Sequence, residues 1–205
     1  MNEKEWLRML NPAALLRYYR DRTELANDRK LRLLVAASWV RDTERYQDGL
    51  GQRLAEIQLR VADTQSDCSE LAEAIVPYMP REEESYDLTT PTDASVEFAS
   101  NPWGTAWTAA YDAVRPADAK RFSQTVRDIF GNPFRAVAFD PKWRTEAAVG
   151  LALRMYDDRD FAAMPILADA LEEAGCEDAD ILAHCREPGV HVRGCWVVDL
   201  VLGKA

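Results

Sequence analysis

The chain has 205 residues, a formal net charge of −10, 47% hydrophobic residues, 29% charged residues and six tryptophans. That is ample material for a core and excludes a disordered composition. The acidic balance speaks against sequence-independent nucleic-acid binding, which runs on phosphate neutralisation, and the longest apolar runs, Leu33–Ala37 and Trp196–Leu202, fall far short of the roughly 18–20 residues of a membrane span.

Most of the chain reads as helix. A short first helix covers Glu3 to Met9 and stops at Asn11-Pro12, where Asn11 suits a cap and Pro12 the first helical position of a segment running to Asp21. Leu31, Leu34, Val35, Ser38 and Trp39 follow the i, i+3, i+4, i+7, i+8 pattern of an amphipathic helix capped by Asn27 or Asp28. Leu50, Leu54, Ile57 and Val61 begin a further helix that runs on toward Leu71 and Val76 and ends at Pro77 and Pro80. Residues 80–104 are rich in acids, Thr and Pro without periodicity, and read as a linker or long surface loop. Helical spacing resumes over Trp107–Val114 and Ala117–Phe130, and Gly131-Asn132-Pro133 supplies turn chemistry. Phe134–Phe139 alternates like a short extended segment. Thr145–Asp157, apolar on several sides, is expected as the central helix. Pro165 starts another that Gly175 stops, Asp178 or Asp180 caps a short one through Cys185, and a last helix covers about Arg193–Leu202. The expected fold is an all-α bundle of about eight helices. Regions 1–79 and 105–205 are expected to pack as one unit, with 80–104 outside it.

Charge is segregated. Residues 1–60 hold twelve Lys/Arg against nine acids, net +3, and residues 156–187 hold ten acids against Arg159 and Arg186, net −8. The two ends are expected either to pair internally or to meet a charged partner. Within the basic start, Arg17, Tyr18, Arg20, Arg29 and Arg32 interleave base-stacking and phosphate-binding residue types. The net charge favours a plainer role for them, as arginines flanking buried stripes.

Both histidines and three of the four cysteines crowd into the spacing Cys176-x7-His184-Cys185-x5-His191-x3-Cys195. Thiolate and imidazole are zinc's natural ligands, and structural zinc wants four of them; Cys176, His184, His191 and Cys195 are the candidate set. His191 and Cys195 would share a helical face if the last helix began that early. His184 and Cys185 are about 100° apart on a helix and cannot both serve one ion, and no Cys-x2-Cys knuckle is present. The other reading makes the cysteines small core residues and the histidines locally hydrogen-bonded; spacing favours it. A Cys195 nucleophile served by His184 or His191, with Asp199 one turn on, is a third possibility. Four cysteines make no disulfide framework. No Gly-rich phosphate loop, serine nucleophile elbow or dinucleotide fingerprint occurs.

Several stretches carry a resemblance: Asp128–Phe134 (DIFGNPF), Asp140-Pro141 with Trp143, Met164–Cys176 (MPILADALEEAGC), Ala179–Cys185 (ADILAHC) and His191–Leu200 (HVRGCWVVDL). Together they resemble the C-terminal region of a large family of uncharacterised bacterial proteins. Glu5-Trp6-Leu7 and Asp28–Leu33 (DRKLRL) resemble that family's N-terminal region. The likeness covers about residues 3–45 and 122–204. It implies a bacterial protein and brings no activity, ligand or catalytic residue with it.

The leading expectation is a non-enzymatic helical module that binds a protein partner. The alternatives are a zinc-stabilised or metal-dependent protein using the His/Cys cluster and a nucleic-acid-associated protein using the basic N-terminal helices. The start of the chain lacks the basic and apolar stretches of a signal peptide, so a cytoplasmic location is expected, with no membrane partner.

Overall fold

Apolar residues recur at helical spacing through both halves of the chain, and among the described residues every regular element is helical. The computed structural model describes residues 1–20, 22, 25–39, 49–76, 97, 99–113 and 116–204. Eleven α-helices are bounded among them. In chain order they are α1 (Glu3–Arg8), α2 (Pro12–Arg20), α3 (Asp28–Trp39), α4 (Leu50–Thr64), α5 (Ser69–Ile75), α6 (Pro102–Asp112), α7 (Pro116–Phe130), α8 (Glu146–Asp158), α9 (Met164–Glu173), α10 (Ala179–Arg186) and α11 (Trp196–Leu202). A 3-10 turn covers Pro141–Trp143. The all-α expectation holds, with eleven helices where about eight were expected; one expected pattern, from Leu50 to Val76, divides into α4 and α5.

The chain forms two compact units, Met9–Phe122 and Met1–Arg8 with Ser123–Ala205. The division falls inside α7. Residues 77–96 and 98, most of the expected linker, lie outside the described residues. Its end is helical: Asn101 Oδ1 accepts from Gly104 N at 2.8 Å, capping α6, whose Pro102 spends its missing N–H in the first turn.

In the Met9–Phe122 unit, α3 packs against both α4 and α6. Leu31, Leu33, Leu34 and Val35 are fully buried, so α3 is enclosed on more than one side. Each such side chain contributes about 1.5–3 kcal/mol by leaving water. The Leu50 pattern does not run through to Val76. Gln65 takes a left-handed conformation at φ 52°, ending α4, and Asp67 Oδ1 accepts from Ser69 N at 2.9 Å at the start of α5.

In the other unit, α8 is the central helix the sequence predicts. Thr145 Oγ1 caps it by accepting from Ala148 N at 3.2 Å. Its Ala148, Ala152, Met155 and Tyr156 pack in one cluster with Met164, Leu167, Ala168 and Leu171 of α9, Ile181 and Cys185 of α10, and Val197, Val198 and Val201 of α11. Gly175, at φ 88°, lets the chain leave α9, and Asp178 Oδ1 caps α10 by accepting from Asp180 N and Ile181 N. Phe134–Phe139 is irregular, not extended strand. The last helix begins at Trp196, three residues later than its pattern predicts, because Cys195 N donates to Val192 O in a tight turn ahead of it.

Gly131 decides how the end of α7 meets α11. Its φ is +70°, and a Cβ there would lie 3.3 Å from Cγ of Trp196. Only glycine allows both the turn and this approach. The last turns of α7 thereby stand beside the residues that open α11.

Candidate metal centre

Four side chains from four places in the C-terminal unit converge. Asp128 lies near the end of α7, His184 on α10, His191 in the loop between α10 and α11, and Cys195 at the cap of α11. Their donor atoms all lie within 4.8 Å of one another. His184 Nε2 is 3.2 Å from Cys195 Sγ and 3.2 Å from Asp128 Oδ1. His191 Nδ1 is 2.9 Å from Asp128 Oδ1 and 3.9 Å from Cys195 Sγ. The cluster is enclosed: Asp128 and Cys195 are buried, and the side chains of His184 and His191 are only 20% and 10% exposed.

Each ring is fixed from outside. The two imidazoles meet edge to face, centroids 5.0 Å apart; Trp196 lies 5.1 Å from His184 and Phe161 6.4 Å from His191. Asp128 Oδ2 accepts from Val192 N at 2.9 Å, which aims Oδ1 at the two rings. The loop ahead of α11 is therefore tied to α7 through one carboxylate.

Burial pushes the Asp128 carboxyl up, but the hydrogen bonds from His184 and His191 outweigh it and hold the group below its ordinary 3.8. The Cys195 thiol is pushed well above its ordinary 9.0 by burial first and then by the charge on Asp128. Beside it, burial raises Cys185 to about 12. Absent a cation, the thiol of Cys195 keeps its proton.

This geometry is wrong for a nucleophile. A catalytic imidazole uses one nitrogen toward the thiol and the other toward the orienting carboxylate. Here the same nitrogen of each histidine faces both Cys195 and Asp128. The thiol is buried, and burial raises it well above its ordinary value. The possibility of a Cys195 nucleophile is corrected on these grounds.

It is right for a cation. Each ring nitrogen offers one hydrogen or one lone pair, yet two partners crowd it; a single ion between them would serve all four groups. With Zn–N, Zn–O and Zn–S bonds of about 2.0–2.3 Å at tetrahedral angles, neighbouring donors stand about 3.3–3.6 Å apart. Four of the six donor–donor distances, 2.9 to 3.9 Å, bracket that range, and the other two lie within 4.8 Å. The donor set of two imidazoles, a thiol and a carboxylate suits zinc.

Of the candidate ligands His184, His191, Cys195 and Cys176, the first three come together and Cys176 does not; it is buried in the helical core. His191 and Cys195 meet through the Val192–Cys195 turn, not along a helical face. Asp128 was not among the candidates. Its signal is an acid set among the buried Thr125, Val126 and Ile129 of α7, where a carboxylate needs partners.

The five residues proposed as a basic face do not form one. Arg17 and Arg20 of α2 are exposed, and Arg20 stands 6.0 Å from the ring of Trp107. The ring of Tyr18 carries Arg22 at 4.1 Å. Arg29 pairs with Asp63 at 3.4 Å. Arg32 is only 6% exposed. Amphipathic packing claims the arginines that spacing alone placed together.

No protein-family model matches this chain, and no curated protein or solved structure matches it either.

Proposed function

We propose that this protein is a zinc-stabilised, non-enzymatic helical module, with Asp128, His184, His191 and Cys195 holding one ion. The observation that carries the reading is the convergence of four donor atoms of the right types within 4.8 Å. Four protein ligands leave no open position for water or substrate, the mark of a structural and not a catalytic zinc site. Asp128, His184, His191 and Cys195, the last as its thiolate, would hold the ion and so join α7, α10, the loop between α10 and α11, and the cap of α11. On this reading the ion is a staple, and the surface of the module meets a protein partner.

Cobalt(II) titration of the full chain, after chelator treatment, tests it. Saturation at about one equivalent is expected, with the strong visible bands of a tetrahedral ion and a single thiolate-to-cobalt absorption. Cys195→Ser should remove the thiolate band, and Cys176→Ser should leave it. A weak octahedral spectrum, or a thiolate band that survives in Cys195→Ser, would contradict the proposal.

A further inference from the structure

The other unit buries a charge that meets only neutral acceptors among the described residues. Arg32 of α3 is 6% exposed, inside the run Leu31–Ala36 whose members are all buried. Its Nη1 donates to Gln58 Oε1 and to the carbonyl of Ala99, each at 3.0 Å. Its Nη2 donates to Cys68 Sγ at 3.2 Å. All three acceptors belong to formally neutral groups. An enclosed guanidinium normally meets a carboxylate, because desolvating it costs several kcal/mol. Gln58 is fully buried too, and its amide Nε2 makes no hydrogen bond. One small region of the core thus holds a surplus of donors: a cation, and a free amide N–H₂ on the side chain that the cation grips.

Cys68 is the group in contact with Arg32 that can become an anion. It is also the one cysteine of the four that is not buried. The chain between Met9 and Phe122 contains no other cysteine, so no second thiol of that unit can take up an oxidised sulfur.

We propose that Cys68 is a site of oxidative modification by hydroperoxides, with Arg32 as the cation that stabilises the oxidised sulfur. The sulfur attacks the peroxide; an S–O bond forms as the O–O bond breaks. The thiol proton goes to the departing oxygen, giving a sulfenic acid and an alcohol, or water from hydrogen peroxide itself. Sulfur loses two electrons and the peroxide gains them. The new oxygen is an acceptor, anionic once it sheds its proton, on the sulfur that Nη2 of Arg32 already contacts at 3.2 Å, and the same guanidinium holds Gln58, whose Nε2 is unused. Guanidinium–oxyanion hydrogen bonds are about twice as strong as neutral ones, and a sulfenate with no partner thiol persists. This inference is independent of the zinc reading, since its residues belong to the other unit.

The full chain, saturated with zinc, is treated with limiting hydrogen peroxide and trapped with a 1,3-dione specific for sulfenic acids, followed by peptide mass mapping. Cys68 is expected to carry the adduct, forming at least about tenfold faster than in the urea-unfolded chain. Gln58→Glu preserves shape and gives Arg32 a carboxylate; it should slow the adduct severalfold without lowering the melting temperature. Labelling no faster than in the unfolded chain, labelling first at Cys176, Cys185 or Cys195, or an unchanged rate in Gln58→Glu would each overturn the proposal.

Discussion

Each unit buries an ionic group against a set of polar partners, Arg32 in one and Asp128 in the other, and they treat it in opposite ways. Around Asp128, His184, His191 and the amide of Val192 supply donors from one helix and a loop, and burial fails to raise the carboxyl because the hydrogen bonds from the two histidines outweigh it. Around Arg32, Gln58, Ala99 and Cys68 supply neutral acceptors, and among the described residues no carboxylate joins them. Burial alone does not make a site. What matters is whether the partners form a complete coordination set, as at Asp128, or leave a deficit that chemistry can fill, as at Arg32.

The largest effect that could break this comparison is removal of the ion. A chelator should lower the melting temperature of the C-terminal unit by about 10 °C, because saturation near a thousand times Kd contributes about 4 kcal/mol and each kcal/mol moves a chain of this size about 2–4 °C. Calorimetry with and without restored zinc measures it; an unchanged transition would remove the staple from the account. Next comes Asp128→Ala, which leaves two imidazoles and the Val192 amide facing a gap. A loss of about 3–5 kcal/mol is expected by denaturant titration, as for other broken buried pairs.

Arg32→Met should cost less, about 1–2 kcal/mol, since it strips donors from Gln58 and Ala99 but also removes a buried charge held by neutral acceptors. If it costs as much as Asp128→Ala, the contrast between the units fails. The smallest effect concerns α1. Hydrogen bonds from Asn132 and Arg135 hold the Glu3 carboxyl below its ordinary 4.5. A depressed carboxyl stabilises above its unfolded value and stops doing so as pH falls through the folded one, so α1 should loosen only below about pH 4.5. Amide exchange in Trp6 and Leu7 reads this, and Glu3→Gln should flatten the dependence; protection that rises with acid would reverse the sign.

The helices were largely legible because their signals are local. Thr145, Asp178 and Asn11 sit where caps belong, and the periodic positions of α3, α7 and α8 are buried as their spacing implies. The departures come from single backbone choices. Gln65 turns left-handed inside an unbroken apolar pattern, and the Val192–Cys195 turn delays α11.

The candidate site was half legible. His184, His191 and Cys195 crowd one stretch of sequence, but Asp128 stands 56 positions before His184 and joins them only because Gly131 turns the end of α7 against Trp196. No spacing rule reaches that far. Arg32 misled for the opposite reason: it looked like the flank of a stripe while Leu31, Leu33 and Leu34 around it were all core. A charged residue inside a run that is apolar on every side is the signal that distinguishes a buried partner from a surface one.

The central claim is that Asp128, His184, His191 and Cys195 hold one structural ion. Elemental analysis of the purified full chain, dialysed against metal-free buffer, tests it most directly when wild type and His184→Ala/His191→Ala are compared. About one zinc per chain in the wild type and next to none in the variant is the predicted result; a wild type without stoichiometric metal, or a variant that retains it, would contradict the account.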